Sequence, residues 1–171
     1  MQQRLAEGTL GAWLLERHPE AHGLRTDKLL YGFVQDIKNS RLRGSDPLAC
    51  VMFDSKLQVV AHALGTHTTV ARVQGSRLKT KREIRIAALF KDTPLAFLRM
   101  IAVHELAHFK ERAHDRAFYQ LCTYMEPEYH QLEFELRVYL TLLQFTGQRL
   151  WSSSEAADQR PALQPPARLT E

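Results

Sequence analysis

Cysteine is nearly absent: the 171 residues include only Cys50 and Cys122, each inside an apolar segment. This excludes a disulfide framework and fits free thiols in a reducing compartment. No stretch approaches the roughly 18 consecutive apolar residues of a membrane-spanning helix, so no membrane partner is expected. The first residues, Met1 to Glu7, carry an acid and lack the apolar core and small-residue cleavage site of a secretion signal. A cytoplasmic location is therefore expected. Glycine and proline number only 8 and 7, and no internal repeat is present. What remains is a globular composition, 44% hydrophobic and 25% charged, of a length suited to one ordinary domain.

Charge is modestly one-sided. The net charge is +4 with histidine neutral and the pI is about 9.2, which permits anionic partners without demanding them. Its densest part is Arg77, Lys79, Lys81, Arg82 and Arg85, opposed only by Glu83. One reading is a solvated loop leading into a strand. The other is a rim that attracts an anionic substrate or nucleic acid.

Periodicity divides the chain into an N-terminal helical segment (1–44), a main domain of strands and helices (45–150) and a disordered tail (151–171). A helix over Leu10 to Leu15 is broken by His18-Pro19. Thr26-Asp27 starts another, with Leu30, Phe33, Val34 and Ile37 on one face. Short apolar runs at Leu48–Phe53, Leu57–Ala63, Thr68–Val73 and Ile84–Phe90 predict three or four antiparallel strands, the first two joined at Asp54-Ser55-Lys56. Thr93-Pro94 predicts a helix start, with threonine as cap and proline at the first helical position, running to Lys110. Asp115 predicts a second cap, for a helix that Glu126-Pro127 ends. A last helix is expected from Glu128 to Phe145, stopped by Gly147.

The informative stretch is His104-Glu105-Leu106-Ala107-His108. Residues four apart share a helix face, so both imidazoles can bind one ion. Glu105 lies about 100° round from His104, where it can reach a water on the metal without coordinating it. Zinc lowers the pKa of such a water toward about 7, and a carboxylate can accept the proton. A third ligand is needed. In an unbroken helix His114 would sit about 9 Å further along and about 120° round from His108. The helix must therefore end between Lys110 and Ala113 and fold back, as the Asp115 cap requires. His114 is the expected ligand; Glu126, Glu128, Glu133 and Glu135 are the rivals. Zn2+ suits three imidazoles, though manganese, cobalt or nickel can take the same ligands. His62 and His67 read as ordinary loop and strand histidines, and Phe109, Phe118, Tyr119 and Tyr124 as packing.

The run Val103 to Glu111, followed by His114, Asp115 and Phe118, resembles the YgjP-like metallopeptidase domain, itself similar to the SprT-like and WLM peptidases of the zincin superfamily. The resemblance spans residues 45–145 and is most specific from Leu98 to Pro127. It implies His104, His108 and His114 as zinc ligands and Glu105 as general base. The fold it implies is α+β and zincin-like: a small antiparallel sheet packed on the HExxH helix, with additional N- and C-terminal helices. It also implies an edge strand before the motif helix, here Ile84 to Phe90, that pairs with an extended peptide. Metzincins share the histidine spacing but place glycine where this chain has Glu111, so the turn to His114 must be made without glycine's freedom. The expected function is a zinc metallopeptidase acting on a peptide or protein substrate, with Tyr129 or His130 as candidate oxyanion donors. Alternatives are a metal-dependent phosphate or nucleotide hydrolase, and a non-catalytic metal-binding or nucleic-acid-associated module.

Overall fold

A computed structural model describes residues 8–57, 66–74 and 77–151. In chain order the elements are helices α1 (Thr9–Arg17) and α2 (Asp27–Arg41), strands β1 (Leu48–Asp54), β2 (Thr66–Gln74) and β3 (Arg77–Ala87), a 3₁₀ turn (Ala88–Asp92), and helices α3 (Leu95–Ala107), α4 (Arg116–Met125) and α5 (Tyr129–Thr146). The architecture is α+β. The largely buried α3 contacts β3, α2, α4 and α5, while α2 packs on β1 and α1 on α5.

Local chemistry accounts for most boundaries. Thr26 caps α2 by accepting from the Leu29 N–H, and Leu30, Val34 and Ile37 form its buried stripe. Gly147 ends α5 at φ 68°, a left-handed conformation that costs glycine little. Thr93 does not cap α3, contrary to the expectation. Its hydroxyl donates to the Phe90 carbonyl at 3.1 Å, and Pro94 stands at the cap position.

The sheet order is β1-β3-β2. β2 and β3 are antiparallel as expected, but β1 runs parallel to β3, so the sheet is mixed. The reason is connectivity. β2 intervenes in sequence and reverses the chain, so β3 returns along the direction of β1. The strand expected at Leu57–Ala63 falls almost wholly outside the described residues.

Two further expectations are corrected. Ile84 pairs with Val51 on one side and His67 on the other, so β3 is the central strand and offers no edge to a peptide. It also ends at Ala87. There the Phe90 carbonyl accepts from His22 Nε2 at 2.7 Å, and Asp92 is held by Arg25 and by Arg149, the latter at 2.6 Å. Those side chains draw the backbone out of the sheet into the 3₁₀ turn. The basic run, read first as a loop, is the first part of β3. Its charges at 77, 79, 81, 83 and 85 recur every second residue, a strand period.

Candidate metal centre

Helix α3 is apolar almost throughout, and Phe97, Leu98 and every residue from Met100 to Ala107 are buried. A helix apolar all round belongs to the interior, so polar groups along it need a reason to be there. His104 and Glu105 lie on its last turn, with His108 just beyond. Glu105 is wholly buried, and that desolvation pushes its carboxyl up to about 8.

The helix stops sooner than expected. His108 is its C-cap, and the Phe109, Lys110 and Glu111 N–H groups donate back to Leu106 and Ala107 carbonyls at 2.9–3.0 Å. Among the described residues no non-glycine residue has positive φ, so Glu111 passes the turn without the conformation that glycine would favour. Asp115 then caps α4 by accepting from the Phe118 N–H at 3.1 Å. The chain between these two points doubles back and carries His114 to the end of α3.

His104, His108 and His114 converge, one nitrogen from each lying within 4.8 Å of the others. His114 Nε2 and His108 Nε2 are 3.0 Å apart, and the three ring centroids are separated by 4.8–5.0 Å. Zn–N bonds of about 2.0–2.1 Å at tetrahedral angles separate ligand nitrogens by about 3.3 Å, and the observed separations bracket that value. Two imidazole nitrogens facing each other repel if both are protonated, so the trio suits a shared cation. The donor set therefore fits a divalent ion.

Each ring is also fixed from behind. His104 Nδ1 is 2.7 Å from the Tyr129 hydroxyl, and Tyr129 is fully buried. His108 Nδ1 is 3.0 Å from the Glu111 carbonyl oxygen. Such outer hydrogen bonds fix the tautomer, so that Nε2 presents its lone pair to the ion. Phe118, wholly buried in the first turn of α4, places its ring 5.0, 4.7 and 4.7 Å from those of His104, His108 and His114. It is the floor on which all three imidazoles rest. Sequence reasoning took Phe118 for ordinary packing; its position three residues after the Asp115 cap was the available signal.

The remaining candidates lie elsewhere. Tyr129 directs its hydroxyl to the back of His104, and His130 is exposed, packing against Tyr119 and Tyr129. Of the rival ligands, Glu126 is ion-paired with Arg99, Glu133 with Arg137 and Glu135 with Arg17 and His18, while Glu128 is exposed at the start of α5. His62 lies outside the described residues, and His67 sits on β2.

Comparison with known proteins accords with this geometry. Residues 49–139 match the family model described as YgjP-like, metallopeptidase domain. A UTP pyrophosphatase of Escherichia coli (strain K12) is 55% identical over 137 residues, covering 80% of this chain and 82% of that protein. No solved structure gives a significant match. A three-histidine cluster at the end of a HExxH helix, a family model spanning more than half the chain and a relative of this identity agree: the chain belongs to the YgjP-like metallopeptidase-domain family and is a metal-dependent hydrolase.

Proposed function

We propose that this chain hydrolyses the phosphoanhydride of a nucleoside triphosphate, with zinc on His104, His108 and His114 and Glu105 as the proton acceptor. The observation that carries the reading is the donor set. Three neutral imidazoles leave the full double charge of the ion for the substrate, whereas a carboxylate ligand would cancel half of it. An undiminished dication suits phosphate oxygens. The name of the Escherichia coli relative, a UTP pyrophosphatase, supports the same substrate class.

When bound, the ion supplies Lewis-acid polarisation and a more acidic water, and its charge favours the ionised form of the nearby carboxyl. His104, His108 and His114 hold their Nε2 lone pairs in place through Tyr129, the Glu111 carbonyl and the Phe118 ring. Glu105, one helical position after His104, accepts the proton of the attacking water on a carboxylate oxygen. The water oxygen bonds to phosphorus as the bridging oxygen leaves with its electron pair, and Glu105 can return the proton to the product.

The metallopeptidase description of the family model favours a second reading, amide hydrolysis by the same groups in a zincin-like domain. Peptide addition at Ile84–Ala87 has no support, because both edges of β3 are taken. Such a substrate would have to use an outer strand. A cytoplasmic location accords with either reading and with the free thiols Cys50 and Cys122; no helix among the described residues is long and apolar enough to cross a membrane.

The test sets UTP and a mixture of unfolded peptides side by side before the purified protein, with and without chelator. Expected is phosphate or pyrophosphate release from UTP that chelation abolishes. Glu105→Gln should keep about one zinc per chain while losing turnover by roughly 10²-fold or more. Cleavage of peptides with UTP left intact would refute the proposal in favour of the second reading.

A further inference from the structure

The open side of the metal centre is identifiable from exposure. His104 and His108 are buried, Glu105 is wholly buried, and His114 is exposed. A substrate must therefore reach the ion across the segment that carries His114. That segment, residues 109–116, holds Lys110, Arg112 and Arg116, all exposed. Among the described residues none of the three forms an ion pair or a side-chain hydrogen bond. The segment's two acids are differently placed. Asp115 is engaged as the cap of α4, and Glu111 is half-buried.

The basic strand contrasts with this. Arg82 is paired with Asp46 at 3.0 Å and lies over the Phe109 ring at 5.3 Å, and Arg85 is paired with Asp54 at 3.1 Å. The described part of that run is already met by carboxylates. Beside His114, by contrast, Lys110, Arg112 and Arg116 are exposed and meet no carboxylate among the described residues. Adjacent Cα atoms are about 3.8 Å apart, so Arg112 and Arg116 each start within about 8 Å of the His114 Cα and carry long, flexible stems. Three cations against two carboxylates leave the segment at +1, next to a dication on neutral ligands.

We infer that Lys110, Arg112 and Arg116 form the polyphosphate-binding rim of the centre, gripping the phosphates that the ion does not reach. The inference rests on the nucleotide reading above and deepens it. Lysine and arginine both bring a full positive charge on a long stem, so the rim acts on the polyphosphate through charge. A peptide substrate, near neutral over the same span, would gain little from this rim.

The test measures equilibrium binding of α,β-imido-UTP to the zinc-loaded protein across a range of salt concentrations. Wild type is compared with Lys110→Ala/Arg112→Ala/Arg116→Ala and with the charge-conserving Lys110→Arg/Arg112→Lys/Arg116→Lys. Expected is binding weakened about tenfold or more in the alanine variant, with a shallower salt dependence. The charge-conserving variant should stay within a few-fold of wild type, and zinc content should be equal in all three. Equal affinity and equal salt dependence in the alanine variant would overturn the rim while leaving UTP hydrolysis standing. Equal losses in both variants would also overturn it, since charge would not be the cause. If wild type neither binds the analogue nor turns over UTP, the nucleotide reading itself fails.

Discussion

Tyr129→Phe removes one oxygen atom and should loosen the metal. In the structure the Tyr129 hydroxyl lies 2.7 Å from His104 Nδ1, and both residues are buried. With Nε2 turned to the ion, Nδ1 carries the proton and donates to that hydroxyl. Phenylalanine fills the same volume, so the cavity term is small. What changes is that a buried N–H loses its acceptor, at about 1–3 kcal/mol. Converted at about 1.4 kcal/mol per factor of ten, this is roughly 5- to 150-fold in affinity. Losses of 10- to 100-fold for outer partners of metal-bound histidines fall in the same range. The assay is competition for zinc against a fluorescent chelator, with thermal unfolding of the metal-free protein as control. Affinity within twofold of wild type would refute the argument, because the hydrogen bond would then not be fixing the ligand. A large loss of stability without zinc would assign the tyrosine to the core instead.

Four other outcomes follow from the same geometry. Phe118→Ala, which removes a ring in contact with all three imidazoles, should cost about 3–5 kcal/mol of stability in a denaturant titration. Phe118→Leu should recover most of that stability but less of the zinc affinity. Zinc at about 1,000 times its dissociation constant should stabilise the fold by about 4 kcal/mol, seen as a rise in Tm that chelator reverses. Acid should weaken the protein in two stages. His22 is held below 6.5 chiefly by burial, with its Nδ1 accepting from the Leu24 N–H, so protons bind the unfolded chain better. Its contribution is complete above pH 6.5 and is lost as pH falls through the folded value. Burial pushes Glu135 up, but the hydrogen bonds from Gln131 and His18 and the Arg17 charge outweigh it and leave the carboxyl below 4.5. Its contribution holds above 4.5 and fades at lower pH. The difference in Tm between wild type and His22→Asn, followed from pH 7.5 to 5, should shrink on acidification; a constant difference would contradict the assignment.

The legibility of this protein in its sequence was uneven, for physical reasons. Helices were readable because their signals are local: the Thr26 and Asp115 caps, the stop at Gly147 and the helical stripe of α2 all act within a few residues. The convergence of His114 with the HExxH pair was readable because two local rules, the helix repeat and the cap at Asp115, together force a reversal. Strand pairing is a long-range matter. Nothing near Ile84 states that Val51 and His67 lie on either side of it, so an edge was expected where the sheet has its centre. Proline's preference for the first helical position suggested Thr93 as a cap, but the Phe90 carbonyl offered its hydroxyl a nearer partner. Position along the chain makes Tyr129 a candidate oxyanion donor; which side of His104 it faces depends on how α5 crosses α3.

The contacts of Glu135 bear on where this protein can be cut. The family model covers residues 49–139, yet Glu135 is ion-paired with Arg17 of α1 and hydrogen-bonded to His18 at the C-cap of that helix. The Trp151 indole donates to the His18 carbonyl at 2.7 Å and packs its ring against Phe97 and Tyr139. Excising the matched segment alone would leave Glu135 in an apolar setting with Gln131 as its remaining hydrogen-bond partner, and would strip the cover from the first turn of the helix that carries the histidines. The segment that the family model covers is thus smaller than the unit that can hold its shape. Residues with no part in the chemistry act as the two jaws of a clasp closed around it.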